Sequence, residues 1–291
     1  MESASTTRHD AIETTASARD WADVELPDAW PDAATWRRPA TLFEIVRHVF
    51  GKRTRVRLPE GLPGAERIPR YVLQEFHGLP NGNYSNRLTH GYITGFEYSM
   101  LGELDRSRAA IAERMSGFES VLDLGCGGGK TGARIRARGV PDVHGVDPSP
   151  YLLKHAATDH PALELAQGTL ESIPYPDARF DGVAVNFVFH EVPPAYLRRG
   201  LAEIARVLRP GGVLALSEPS PLQARRSMGW LVRRYGWRGF YFRTLVGLVH
   251  EPFMDAWHRF DVPAEAAAFG LETESVVEGM PIKRWFLRRA A

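Results

Sequence analysis

The sequence predicts an α/β protein whose main body is a doubly wound, mostly parallel sheet. Three observations carry this. An apolar run, Val121 to Leu124, leads into a glycine-dense turn and then a helix with Ala133, Ile135 and Ala137. From residue 119 onward strand patterns alternate regularly with helical ones, as parallel strands with crossover helices require. The second strand pattern, Val143 to Val146, ends at the acid Asp147, on the edge of the sheet where open parallel sheets bind ligands.

Residues 1–20, rich in Ser, Thr and Ala, read as a disordered tail. Residues 21–118 are expected to form a mainly helical cap. Within it, prolines at 27 and 31 interrupt any helix between Trp21 and Trp36. Thr41 then caps an amphipathic segment with Leu42, Ile45, Val46, Val49 and Phe50 on one face. Lys52 to Leu58 alternates basic and apolar residues as a strand does, and Pro59 to Pro63 is a turn-rich connection. The stretch before residue 70 carries no catalytic signal and reads as a lid, a homodimer contact or both. Between Tyr71 and Met100, His77, Asn81, Asn83, Tyr84, Ser85, Asn86, His90, Tyr92 and Tyr98 crowd around a Leu-Pro-Asn-Gly-Asn turn. That density of neutral hydrogen-bonding groups suits recognition of a small molecule. It equally suits a turn whose Asn and Gly satisfy their own backbone. Asp105 to Met115 reads as a helix leading into the sheet.

The glycine turn admits three readings, and spacing separates them. A phosphate-cradling loop needs Gly, four residues, then Gly-Lys-Ser/Thr; Gly129-Lys130-Thr131 supplies the end, but Leu124 stands where the first glycine belongs. A dinucleotide fingerprint, G-x-G-x-x-G, meets Lys130 at its third glycine when started at Gly125, and begins two residues late when started at Gly127. The pattern that fits is Asp123-x-Gly125-x-Gly127-x-Gly129, an acid inside the strand followed by alternating glycines. At this motif, and again at Asp147, the chain resembles the class I S-adenosylmethionine-dependent methyltransferases, of the small-molecule kind with a type 11-like core.

That resemblance implies a Rossmann-like seven-stranded sheet over residues 119–291, mostly parallel and closed by a C-terminal antiparallel hairpin. It implies S-adenosylmethionine as cofactor and S-adenosylhomocysteine as product. Asp123 would help hold the amino acid end of the cofactor, with the backbone of Gly125, Cys126, Gly127 and Gly129 lying along it. Asp147, followed by Pro148, would accept bonds from the ribose hydroxyls. Leu163 to Ala166 is the expected third strand. After it the family's adenine-binding Asp is replaced by Thr169, whose hydroxyl can still accept a bond, while Leu170 would pack on the adenine face. Phe180-Asp181 and the run Gly182 to Phe189 give the fourth strand, with Asn186 and Phe187 at its carboxyl end. A helix marked by Leu197, Leu201, Ile204, Ala205 and Leu208 comes next. The turn Leu208-Arg209-Pro210-Gly211-Gly212 then leads to a fifth strand, Val213 to Leu216, and to Glu218. Leu271 to Val277 and Lys283 to Leu287 would be the closing strands.

Residues 221–260 read as a helical insertion in which arginines alternate with Trp230, Tyr235, Trp237, Phe240, Tyr241 and Phe242. Such interleaving serves nucleic-acid or membrane-surface binding, or roofs an apolar pocket with its arginines outward. The balanced charge, 36 basic against 35 acidic residues, favours the roof and a small, aromatic or apolar substrate, with no nucleic-acid partner. The single cysteine, Cys126, excludes an internal disulfide framework and a multi-cysteine metal site, and no metal is expected. No apolar run is long enough to span a bilayer and no signal peptide is read at the start, so a cytoplasmic location is expected. The excess of arginine over lysine fits a GC-rich bacterial genome.

The reading is therefore in-line transfer of a methyl group to an O, N or C nucleophile of a small molecule, with the enzyme supplying alignment and a dry pocket. A hydroxyl or carbon acid also needs a base. His190 is the first candidate, with Glu191 and Glu218 beside it on the core and Tyr84, His90, His77 or Tyr92 on the cap. Two other classes remain open: a binding protein that kept the cofactor site and lost turnover, and a nucleic-acid methyltransferase.

Overall fold

The computed structural model describes residues 20–32, 55–249 and 251–291. Seven strands form one sheet: β1 (Ser120–Leu124), β2 (Asp142–Asp147), β3 (Glu164–Gln167), β4 (Phe180–Asn186), β5 (Leu208–Pro219), β6 (Leu271–Val277) and β7 (Ile282–Arg289). Their spatial order is β3-β2-β1-β4-β5-β7-β6. The first five run parallel, and β7 pairs antiparallel with both β5 and β6. The strand order reverses between β1 and β4, the switch point where the carboxyl ends of open sheets form a crevice.

Alternation along β1 shows how the sheet is sandwiched. Val121 joins Ile111, Ile135 and Leu153 on one face, while Leu122 and Leu124 join Val183, Val185, Leu197 and Leu201 on the other. The longer helices before β5 are, in chain order, α1 (Asn86–Ser99), α2 (Glu103–Arg114), α3 (Lys130–Arg136), α4 (Pro150–Asp159) and α5 (Pro194–Val207), and all but α1 supply these contacts. Four further helices, α6 (Leu222–Arg225), α7 (Met228–Tyr235), α8 (Trp237–Leu248) and α9 (Met254–Arg259), fall within the arginine-aromatic stretch, and α10 (Val262–Ala267) precedes β6.

Several boundaries move from those the sequence predicts. β3 begins at Glu164 because it pairs along His144 to Asp147 of β2. β5 is much longer than Val213 to Leu216, since it is paired on both sides, by β4 and by β7. The expected amphipathic segment after Thr41 lies outside the described residues, as do the first three positions of the strand expected at 52–58. Of the rest of that strand, only Arg55 makes a bridge, to Gln74.

The residues before β1 are sewn onto the sheet by side chains. Trp21 buries its ring against the α2 side of the sheet and donates Nε1–H to Leu165 O at 3.2 Å. Asp32 accepts from Ser85 Oγ and from the backbone N–H groups of Asn86 and Arg87 at 2.7 to 2.9 Å. Those backbone donors have no partner inside the helix, so Asp32 fixes where α1 starts. α1 in turn lies over the carboxyl end of the sheet, where Ile93 sits against the glycine turn and Lys130 Nζ donates to its carbonyl at 3.1 Å.

Candidate active site

Glycine is required where the chain turns out of β1. Gly125, Gly127 and Gly129 have φ of 71°, 51° and 76°, a region that side-chain-bearing residues rarely adopt. A Cβ on Gly125 would also lie 2.3 Å from Val188 Cγ2. The N–H groups of Gly125 and Cys126 both donate to Val146 O, which ties the turn to the end of β2. Around this turn lies a cleft of about 1260 Å³, counting its open mouth.

Asp147, 6% exposed, closes the near wall. Its two carboxylate oxygens accept from Gly127 N at 3.0 Å and Ser149 N at 2.9 Å. Burial pushes its pKa up to about 6, against the lowering effect of those bonds. Gly125, Cys126, Gly127, Pro148, Thr169, Leu170, Asn186 and Phe187 line the same cleft, as does Tyr84. Burial raises the Cys126 thiol well above its usual range, which makes it a packing residue of the turn.

Asp123 and Gly129 do not reach the cleft. Asp123 is 1% exposed and turns back to accept from Gly132 N at 2.7 Å. Burial, the dominant influence, pushes it up to about 7. Through Gly132 it holds the start of α3 in place, while its other oxygen, Oδ1, is buried without a hydrogen-bond partner among the described residues. Gly129 sits at the cap of α3 beneath the turn. The Leu170 side chain also departs from expectation: it packs against Gly200 of α5, where a Cβ would lie 2.2 Å from Leu170 Cγ, and belongs to the core. His90 is a further correction. It is exposed on α1, beside His155 at 5.3 Å between ring centroids, and lines no part of the cleft. The outward face of an amphipathic helix carried it away from the site.

Three charged groups of the cleft have no sequence motif. Arg108 of α2 pairs with Glu97 of α1 at 2.6 Å, and Lys130 lies 3.5 Å from the same carboxylate. Arg108 Nε is buried without a hydrogen-bond partner. They converge because α1, lying over the glycine turn, brings Glu97 to Arg108 of α2 and Lys130 of α3, a tertiary event.

Phe96 and Phe187, edge to face at 5.9 Å, line both this cleft and a second, mostly apolar compartment of about 460 Å³. The insertion does roof it, through Phe242, Leu245 and Val246 of α8 and Met254 of α9. Its arginines do not all point outward: Arg238 pairs with Glu103 of α2. His77, His190 and Glu251 lie on its wall.

His190 is 2% exposed, and its Nδ1 lies 2.7 Å from Glu218 Oε2. Glu218, fully buried, also accepts from Val188 N and Phe189 N at 2.7 and 2.8 Å, so it fixes the turn that carries the histidine. Burial alone would lower the His190 pKa; the Glu218 carboxylate overrides it and raises the ring to about 9. His77 Nε2 stands 2.9 Å from Glu251 Oε1 and 3.6 Å from Glu191 Oε1, with the Tyr92 hydroxyl at 3.5 Å. Burial pushes Glu191 up to about 7. Of the sequence candidates for proton transfer, the structure thus gathers His190, Glu191, Glu218, His77 and Tyr92, places Tyr84 on the Asp147 side, and leaves out His90.

Comparison with known proteins agrees with this architecture. Residues 122–216 match the family model described as a methyltransferase domain. The matched residues run from β1 into β5. This domain is 41% identical over 119 residues to an uncharacterised methyltransferase of Mycobacterium bovis, covering 40% of this chain and 47% of that protein. It is 37% identical over 100 residues to the demethylmenaquinone methyltransferase of Beutenbergia cavernae, covering 34% and 40%. A TehB-like SAM-dependent methyltransferase from Corynebacterium glutamicum aligns with 69% of this chain over 98% of its own, at 20% identity and a TM-score of 0.47. The chain spans about half the length, or less, of these curated relatives, 47% and 40%. Among the described residues no helix is long and apolar enough to cross a membrane.

Proposed function

We propose that this chain transfers the methyl group of S-adenosylmethionine to an O, N or C nucleophile of a small, aromatic or apolar molecule. The observation that carries the reading is the pair of compartments meeting at Phe96 and Phe187: a polar cleft built on the glycine turn, and an apolar one with titratable groups on its wall.

The residues of the first compartment fit the cofactor. The glycines keep the backbone bare where a ligand lies along it, since a Cβ on Gly127 would meet nothing and point into open space. Asp147 has lone pairs left for two ribose hydroxyls after its two backbone bonds. The unpartnered Arg108 Nε is a ready donor for the cofactor's carboxylate. When bound, S-adenosylmethionine supplies an already activated methyl carbon. The protein's own work is to align the acceptor and to exclude water, which Phe96, Phe187 and the α8 side chains do. Where the acceptor is a hydroxyl, its proton passes to the group of side chains around His77, His190 and Glu191.

Calorimetric binding of S-adenosylmethionine and S-adenosylhomocysteine, with NAD as control, is the first test. Both should bind and NAD should not. Turnover is then expected with at least one class in a panel of phenols, amines and carboxylates. Binding without any turnover would instead mark a protein that only senses the cofactor, and absence of binding would sink the reading.

A further inference from the structure

We propose that His77, His190, Glu191 and Glu251 form a binding site for one divalent first-row transition-metal ion. Each offers a ligand atom, and all four atoms lie within 4.8 Å of one another. The separations, 2.9 Å from His77 Nε2 to Glu251, 3.6 Å from His77 Nε2 to Glu191 and 4.0 Å from His190 Nε2 to Glu191, are those of donors spaced around one ion at about 2.1 Å. The residues come from three separate segments: the turn after Phe76, the turn after β4, and the residues entering α9. Sequence spacing therefore held no sign of a metal site, and none was expected.

Two further observations point to a ligand. The first is the support behind His190. A buried carboxylate, Glu218, holds Nδ1 and leaves Nε2 facing the compartment, the arrangement by which proteins orient a metal-binding imidazole. The second is placement: Glu191, which among the described residues pairs with no arginine or lysine, lines the glycine-turn cleft, while His77, His190 and Glu251 line the apolar compartment, so an ion held by all four sits where the two meet. Two imidazole nitrogens with two carboxylates select zinc, cobalt, iron(II) or manganese over calcium or magnesium. Four protein ligands leave a five- or six-coordinate ion an open side toward the apolar compartment, where an oxygen or nitrogen of the acceptor molecule would complete it. That last role rests on the methyl-transfer reading; the binding site itself does not.

The test uses the untagged full chain, loaded with ZnCl2 or CoCl2 and freed of excess by gel filtration. Metal content is read by mass spectrometry, and the Co2+ environment by its visible absorption. About one ion per chain is expected in the wild type. His77→Asn and Glu251→Gln should each reduce retention to background. Glu218→Gln, acting through His190, should weaken binding about 10- to 100-fold. His90→Ala should leave it unchanged. Circular dichroism and S-adenosylmethionine calorimetry on each variant establish that the fold persists. A wild type that retains no metal overturns the proposal. So does metal lost in His90→Ala but kept in His77→Asn, which would put the ion on the exposed His90–His155 pair. Cofactor binding is read separately, so a failed metal site leaves the methyl-transfer reading intact, and a failed cofactor site leaves the metal result intact.

Discussion

On the glycine-turn side of Phe187, polar contacts are made largely to backbone and over short stretches of chain: Asp147 to Gly127 and Ser149, Asp123 to Gly132. On the other side, contacts run between side chains far apart in sequence: His77 to Glu251, and His190 to Glu218. A strand end and a glycine turn present bare backbone whose conformation needs glycine and few exact side chains beyond the acids. A wall of long side chains, by contrast, changes its chemistry with any one substitution. The first region is built to hold something constant, the second to define what is specific to this protein.

If that division is right, variants on the two sides should fail differently. The largest effect is expected from His190→Asn, which should lower turnover by about 10²- to 10⁴-fold while cofactor affinity, read by calorimetry, stays at the wild-type value. A parallel loss of cofactor affinity would erase the division. Next is Asp147→Ala. It removes two charge-assisted acceptors, each worth about 1.5–3 kcal/mol, so cofactor affinity should fall about 100-fold or more.

The pH dependence sharpens the same contrast. Asp147 titrates at about 6 and Asp123 at about 7 in the folded chain, both raised from 3.8. The folded state therefore holds their protons to higher pH than the unfolded chain does, and the stability they contribute is lost as pH rises from about 4 to about 7. Denaturant titrations without cofactor should show this decline, and Asp147→Asn should remove part of it. Cofactor affinity should move the opposite way, weakening by up to about tenfold per pH unit below 6 as the acceptor is protonated. An affinity independent of pH would mean that the Asp147 carboxylate does not contact the ligand. The smallest expected effect is that of Gly200→Ala, whose Cβ meets Leu170. Overpacking of this kind costs about 1–3 kcal/mol, and should appear as a fall of a few degrees in thermal midpoint with a modest loss of cofactor affinity.

How much of this was legible differs along the chain. Strands β1 to β4 fall close to their apolar runs, because a strand buried on both faces must be apolar throughout. The ends of β5 were not legible, since its length comes from two neighbours. The cofactor-side residues were legible because turns need particular residues: Gly125 and Gly127 for their backbone angles, Asp147 for its place at a strand end. Asp123 was found by its motif, but its bond to Gly132 N was not legible, since nothing local tells which backbone donor a buried acid meets. His90 and His77 looked alike in the sequence. Only the packing of α1, capped through Asp32 some fifty residues earlier, sends one to solvent while the turn after Phe76 sends the other into the wall.

The amino-acid sequence by itself determined the doubly wound sheet, the glycine turn and the acid that faces it, because periodicity and backbone conformational limits act over a few residues. The meeting of Arg108 with Glu97, and of His77 with His190, Glu191 and Glu251, was decided only by the tertiary structure. Those groups are brought together by helices packed over the sheet's edge, and no local rule of spacing records where distant segments will meet.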